Sequence, residues 1–274
     1  MMWENYSVGK IFIMKNKTLV ISLGGSLIIP KKIDIAFLQH FKNIILDYVK
    51  KGRKVIIICG GGNVVREYNA ALKNAIPGIP SEDLDTMGIE LTYVNALLVR
   101  NIFEDNAERK IMRNPTEVIP TRKKIIIGCG WKPGCSTDKD AVIAAKTYGV
   151  STIINLSNIT HIYDKNPKEF KDARPFKTMA WEELRKIVGN VWNPGAHVPF
   201  DPKAVKLGQK WKLELIVMNG KNLKNFNQYL HNEKRTLRQQ QYHIYLLQVI
   251  FQRFQLFYFY KGIFLASLLK CLHQ

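Results

Sequence analysis

Cysteine is scarce in this chain. There are four in 274 residues, Cys59, Cys129, Cys135 and Cys271, and no two form a C-x-x-C pair. That excludes a disulfide framework and a cysteine-built zinc site, and it reads as a reducing, cytoplasmic setting. Acidic residues are outnumbered, 22 Asp and Glu against 41 Lys and Arg, for a net charge of +19. A field of that sign attracts nucleotides, nucleic acids and acidic membranes alike and selects none of them. No G-x-x-x-x-G-K-[ST] loop is present and no G-x-G-x-x-G follows the first expected strand, which excludes the Walker and Rossmann nucleotide sites. A long uncharged apolar run is also missing. The stretch from Ile244 to Leu269 is apolar, but Arg253, Lys261 and several glutamines interrupt it, so it makes a poor membrane span. The N-terminal MMWENYSVGKIFIMKNK has no apolar core of the secretory type. No internal repeat is visible.

What remains is a globular composition, 46% apolar and 23% charged. The length is enough for one large domain or two small ones. From Thr18 to about Leu230, short apolar runs alternate with amphipathic stretches. Strands are expected at Thr18–Leu23, Lys54–Cys59, Lys124–Ile127, Thr152–Leu156 and Leu213–Met218. Helices are expected from about Phe37 to Val49, Val64 to Asn74, Thr86 to Glu108, Asp138 to Tyr148 and Pro202 to Lys210. Nearly continuous apolar strands separated by helices predict an α/β fold, a three-layer αβα sandwich around a mainly parallel sheet. Ligands in such sheets sit beyond the carboxyl ends of the strands. Three loops fall there: Gly24–Ser26, Gly60–Asn63 and Gly128–Thr137.

Glycines between a strand and a helix let the backbone approach a phosphate, and the helix N-terminus adds free N–H groups and partial positive charge. Gly60-Gly61-Gly62-Asn63 meets this description, with Arg66 one turn into the following helix. A tight turn with a solvated arginine is the alternative for that segment alone. Gly24-Gly25-Ser26 is a second such turn. Gly134-Cys135-Ser136-Thr137-Asp138 is a third, in which Asp138 either caps the next helix or orients a cation. Three such loops on one sheet edge predict a diphosphate-sized anion site.

These segments, in order, resemble the amino-acid-kinase family, and within it the UMP kinases of the archaeal type. Ser22-Leu-Gly-Gly-Ser26 resembles the family's first glycine turn and Cys59-Gly-Gly-Gly-Asn-Val-Val-Arg66 its second. Asp85-Thr-Met-Gly-Ile-Glu-Leu-Thr-Tyr-Val-Asn-Ala-Leu98 resembles the UMP-binding helix. Lys132-Pro-Gly-Cys-Ser-Thr-Asp138 resembles the P-G-x-T-T-D loop. Leu156–Tyr163 with Asn166-Pro167 resembles a nucleotide-binding segment, and Phe200-Asp201-Pro202 followed by Ala204 a later signature.

The resemblance implies ATP and UMP as substrates, with Mg²⁺ accompanying ATP. It implies ATP contacts from Gly25, Ser26, Gly62, Arg66, Ser157, Tyr163 and Asn166. It implies UMP contacts from Gly61, Asp85, Trp131, Lys132, Pro133, Gly134, Cys135, Ser136 and Thr137. Asp138 would organise the reacting phosphates, with Arg66 and Lys132 supplying charge. A homo-oligomer, commonly a hexamer, is implied as well, without a specific nucleic-acid or membrane partner. Ser22 stands where bacterial members carry lysine. Thr160-His161 replaces the usual Asp-Gly, Asn166 an aspartate and Trp131 a threonine, changes that bear on the donor nucleotide more than on the acceptor. Two other readings fit: a kinase of the same fold with an acyl or isoprenoid phosphate acceptor, and a catalytically impaired nucleotide-binding homologue.

The expected division is an N-terminal extension over 1–16, the kinase domain over 17–231, and an atypical tail over 232–274. The family's closing G-T-x-I strand is missing from its usual place. The tail reads as a non-native or poorly packed segment such as an altered reading frame would leave. Membrane contact and self-association are the alternatives.

Overall fold

The computed structural model describes residues 18–159, 161–165, 169–191 and 198–231, and the backbone of 244–246. The β-branched runs become strands: β1 (Thr18–Leu23), β2 (Lys54–Cys59), β3 (Ile125–Gly128), β4 (Thr152–Ser157), the two-residue β5 (Thr178–Met179), β6 (Glu214–Asn219) and β7 (Ile244–Leu246). The helices are α1 (Gly25–Ile28), α2 (Ile35–Lys50), α3 (Gly62–Ala75), α4 (Ser81–Ile102), α5 (Thr137–Thr147), α6 (Trp181–Val188), α7 (Pro202–Lys210) and α8 (Leu223–His231).

The strands form one sheet in the order β3-β2-β1-β4-β6-β7-β5, parallel throughout except for β5, which runs antiparallel to β7. Its register brings Ile127, Ile57, Ile21, Ile154 and Ile216 abreast across five strands. All five point into one core, which α2, α4 and α8 cover. The adjacent row, Ile126, Ile56, Val20, Ile153 and Leu215, points the other way, into a core covered by α5, α6 and α7. Burial on both faces explains why these strands read as continuous apolar runs rather than alternating ones. The expected three-layer sandwich is therefore the observed one. On the α2 side, Phe41 stacks on Phe37 and Phe226 at 5.8 and 6.0 Å and meets Phe103 edge-on at 6.3 Å.

Some boundaries differ from expectation. The long helix runs from Ser81 to Ile102 rather than from Thr86 to Glu108. Glu82 and Asp83 in its first turn favour the earlier start through the helix dipole. At the other end Phe103 is fully buried, and the chain turns inward through a 3₁₀ turn at Glu104–Asn106, with Glu104 at φ 53° and paired to Lys42 at 2.6 Å. Ser136, not Asp138, caps α5, accepting from Lys139 N. Finally, Ile244–Leu246 lies within the segment read as a tail, yet it adds a parallel strand beside β6.

Candidate functional site

Parallel strands put their carboxyl ends on one edge, so the loops after β1, β2 and β3 are neighbours. The turns after β1 and β2 touch. A Cβ on Gly25 would lie 2.3 Å from Gly62 N, and one on Gly62 2.3 Å from the Gly25 carbonyl carbon. Gly62 also sits at φ +69°, in the left-handed region. Only glycine at both positions lets two backbone turns interlock in this way. The third loop closes over them: a Cβ on Gly60 would be 3.5 Å from Thr137 Oγ1.

These loops border a cleft of about 500 Å³, large enough for a nucleotide. Its walls come from α3 (Gly62, Val65, Arg66, Asn69, Lys73), α4 (Leu84, Asp85, Gly88, Ile89, Thr92), the Cys135–Asp138 segment and Asp201. Eight of the residues expected from the sequence meet here: Gly61, Gly62, Arg66, Asp85, Cys135, Ser136, Thr137 and Asp138. Arg66 is exposed, and its guanidinium donates to Asn63 Oδ1 at 3.3 Å. Asp85, one turn into α4, accepts from Gly134 N at 2.8 Å. Gly134 O in turn accepts from Lys203 Nζ at 3.1 Å.

Other expected residues stand outside the cleft lining. Trp131, Pro133 and Gly134 shape its loop from behind. Lys132 is exposed, with Nζ 4.0 Å from the centroid of the Trp131 ring. Gly25 and Ser26 belong to the first of the interlocked turns and are not in the cleft lining. Ser157 ends β4, where its hydroxyl accepts from Ile159 N at 3.4 Å. Tyr163 bridges to Pro175 and meets the His161 ring edge-on at 5.8 Å. Asn166 and Thr160 lie outside the described residues.

Three carboxylates gather here: Asp138 and Asp201 in the cleft wall and Asp140 buried behind it. Asp138 accepts from Ser22 Oγ at 2.8 Å and from Asn155 Nδ2 at 3.4 Å. Its pKa is pushed up to about 6, chiefly by burial and also by the negative charge of Asp201, with the Ser22 hydrogen bond opposing. Asp140 is fully buried and accepts from Trp131 N at 3.1 Å. Burial lifts its pKa to about 7. Asp201 caps α7 through one oxygen, accepting from Lys203 N and Ala204 N at 2.5 and 2.9 Å. Its other oxygen, like one of Asp140, is buried without a partner. Orphaned carboxylate oxygens beside an anion cleft suit a cation that arrives with a ligand.

Residues 17–219 of the chain match the family model described as the amino acid kinase family. The chain belongs to that family. Among amino acid kinase relatives, the uridylate kinase of Thermoplasma volcanium is 31% identical over 215 residues, covering 77% of this chain and 92% of the relative. The uridylate kinase of Methanobrevibacter smithii is 27% identical, covering 79% and 96%. The crystal structure of uridylate kinase from Archaeoglobus fulgidus matches with a TM-score of 0.65 at 24% identity, covering 77% of this chain and 95% of that one. That likeness establishes the amino acid kinase fold.

Reading the sequence missed Asp140, Asp201 as a site residue, and two residues of α4. Thr92 is 6% exposed and its hydroxyl accepts from Gly130 N at 2.8 Å. Asn95 is 1% exposed and donates to Gly60 O at 2.8 Å and Gly61 O at 3.2 Å. The available signal was a pair of polar residues, three apart, on the core-facing side of an amphipathic helix.

Proposed function

We propose that this amino acid kinase is a UMP kinase, transferring the γ-phosphoryl group of ATP to UMP to give UDP and ADP. One observation carries the reading: interlocked glycine turns, Asp85 and the Cys135–Asp138 segment share a single nucleotide-sized cleft. Uridylate kinases among the relatives support the choice of acceptor.

The chemistry asks for positioning and charge neutralisation. A non-bridging oxygen of the UMP phosphate attacks the γ-phosphorus in line, and the bond from that phosphorus to the β–γ bridging oxygen breaks as ADP leaves. The attacking oxygen is already anionic, so no general base is required. N–H groups of Gly61 and Gly62 and the Arg66 guanidinium would hold phosphate oxygens. Asp85 would accept from the UMP ribose with the lone pairs that Gly134 N leaves open. Gly25 and Ser26 would face the ATP phosphates, and Ser157, Tyr163 and Asn166 the adenine nucleotide. Mg²⁺, when bound with ATP, would supply neutralisation of phosphate charge. Asp138 and Asp201 are the carboxylates that would face it. Among the described residues no group of three His, Cys, Asp or Glu is placed to hold a metal by itself, so phosphate and water oxygens would complete the shell.

The proposal extends to a cytoplasmic homo-oligomer, a hexamer in form, that serves pyrimidine nucleotide synthesis. Among the described residues no helix is long and apolar enough to cross a membrane. Helix α3 buries no residue, and Tyr68 on α3, Ile76 just after it and Val94 on α4 stand exposed, as an assembly face requires. A coupled assay of ADP release with UMP, CMP and carboxylate acceptors tests the activity. UMP-dependent turnover is expected; folded protein that turns over another acceptor, or none, overturns it. Light scattering of the purified protein reads the assembly.

A further inference from the structure

Helix α4 does more than contribute a wall. Along one side it carries Asp85, Thr92 and Asn95, spaced by seven and three residues, and each of these takes hold of a different backbone segment of the cleft. Asp85 accepts from Gly134 N, Thr92 accepts from Gly130 N, and Asn95 donates to the carbonyls of Gly60 and Gly61. The Thr92 hydroxyl is committed as an acceptor toward Gly130, because its own proton goes to Ile89 O at 2.6 Å.

The Asn95 contacts have a directional consequence. In a planar trans peptide the carbonyl of one residue and the N–H of the next point opposite ways. Drawing Gly60 O and Gly61 O toward Asn95 therefore turns Gly61 N–H and Gly62 N–H away from α4. Both residues line the cleft. The interlock with Gly25 and the bond from Gly60 N to Leu23 O at 2.9 Å hold the turn in place, and Asn95 adds the side-chain contact that sets the direction of these two carbonyls.

We propose that Asn95 is a positioning residue that aims the Gly61 and Gly62 N–H donors at a bound phosphate, and that Thr92 ties the facing loop to the same helix. Asn95 does not line the cleft; Thr92 does, but its hydroxyl is already bonded to Ile89 O and Gly130 N. The inference deepens the reading of the cleft as a phosphoryl-transfer site and rests on it for the kinetic part of its test.

Asn95→Asp keeps size and shape but removes both donors. Hydrogen exchange read by mass spectrometry on wild type and variant is expected to show faster exchange confined to the peptide spanning residues 60–63. With UMP and ATP, kcat is expected to fall about 100-fold, in line with the loss of aimed donors, while KM for ATP stays within about threefold. A folded Asn95→Asp protein with wild-type kcat and unchanged exchange overturns the proposal. If Asn95→Asp does not fold, Thr92→Val and Thr92→Ser decide. A drop in kcat for valine that serine restores supports the proposal, and valine with wild-type kcat overturns it. A wild type without UMP turnover would sink the UMP-kinase reading alone; the exchange measurement would still stand for or against the aiming of the turn.

Discussion

The two halves of the sheet's carboxyl edge are built differently. Over β3, β2 and β1, the loops are short, interlocked at Gly25 and Gly62, and bonded to α4 and α5 by Asp85, Thr92, Asn95 and Ser136. Over β4 and β6, the described residues between Ser157 and Asp201 include the short β5 and α6; local bonds join Ser157 to Ile159, Lys165 to Asp172 and Arg174 to Asp164, and Trp181 ties α6 to Leu213 O. The first half presents a shaped site before any ligand arrives. On the proposed reading, the β1–β3 side takes UMP and the reacting phosphates, and the β4–β6 side takes the adenine nucleotide.

Asp138 stands where the halves meet, touching Ser22 on β1 and Asn155 on β4. Asp138→Asn is expected to give the largest loss, kcat lower by on the order of 100-fold or more, as for other electrostatic groups at a reacting centre. Its melting temperature should hold or rise, since a buried charge is removed and Asn still accepts from Ser22. A variant with near wild-type turnover would show that Asp138 is only part of the scaffold. Asp85→Ala should raise KM for UMP roughly 10- to 100-fold, the loss of a charged hydrogen bond, and leave KM for ATP alone. Equal shifts in both constants would erase the distinction between the halves.

The carboxylates make the comparison depend on pH. The pKa of Asp138 rises from the ordinary 3.8 to about 6 and that of Asp140 to about 7, in both cases mainly by burial. Between the ordinary value and these raised ones the folded protein keeps protons that the unfolded chain has lost. Stability is therefore fully present at low pH, falls as pH rises through that window, and levels off above about 7. Activity should run the other way, rising through about pH 6 as Asp138 ionises. Melting temperatures across pH 4–8 check the first statement, and Asp140→Asn should flatten the upper part of the decline. The rate profile checks the second.

Smaller effects are expected further out. Tyr163→Ala should raise KM for ATP by about three- to tenfold, the scale of one stacked aromatic contact, with KM for UMP unchanged. Lys132→Ala should alter either constant by about fivefold at most, because its ammonium lies over Trp131 in solvent rather than in the cleft. A loss much beyond that would mean the loop carries Lys132 inward when nucleotides bind.

The parts of this site legible in the sequence are those that glycine announces. Gly24-Gly25, Gly60-Gly61-Gly62 and Pro133-Gly134 mark turns after strands because few other residues suit them. Asp85 and Asp138 become visible once the neighbouring motifs are aligned with a family. Thr92 and Asn95 were hidden because their partners are backbone atoms of Gly130, Gly60 and Gly61, some 30 to 40 positions away in the chain. Helical periodicity assigns such residues to the core side without naming what they bond. The early end of α4 was hidden for a related reason: no glycine or proline marks it, and only the burial of Phe103 against Phe41 turns the chain. Ser136 and Asp138 look alike as caps until the first turn of α5 forms.

The contact between Gly25 and Gly62 also constrains how this enzyme can vary. Any side chain at either position collides with main chain of the other turn, and main chain cannot rotate aside as a side chain can. A saturation library scored for function should show the two codons emptied of every alternative together. No second change nearby should rescue either, since the obstacle is the backbone itself. The two turns therefore act as a single part that can only be kept or lost together.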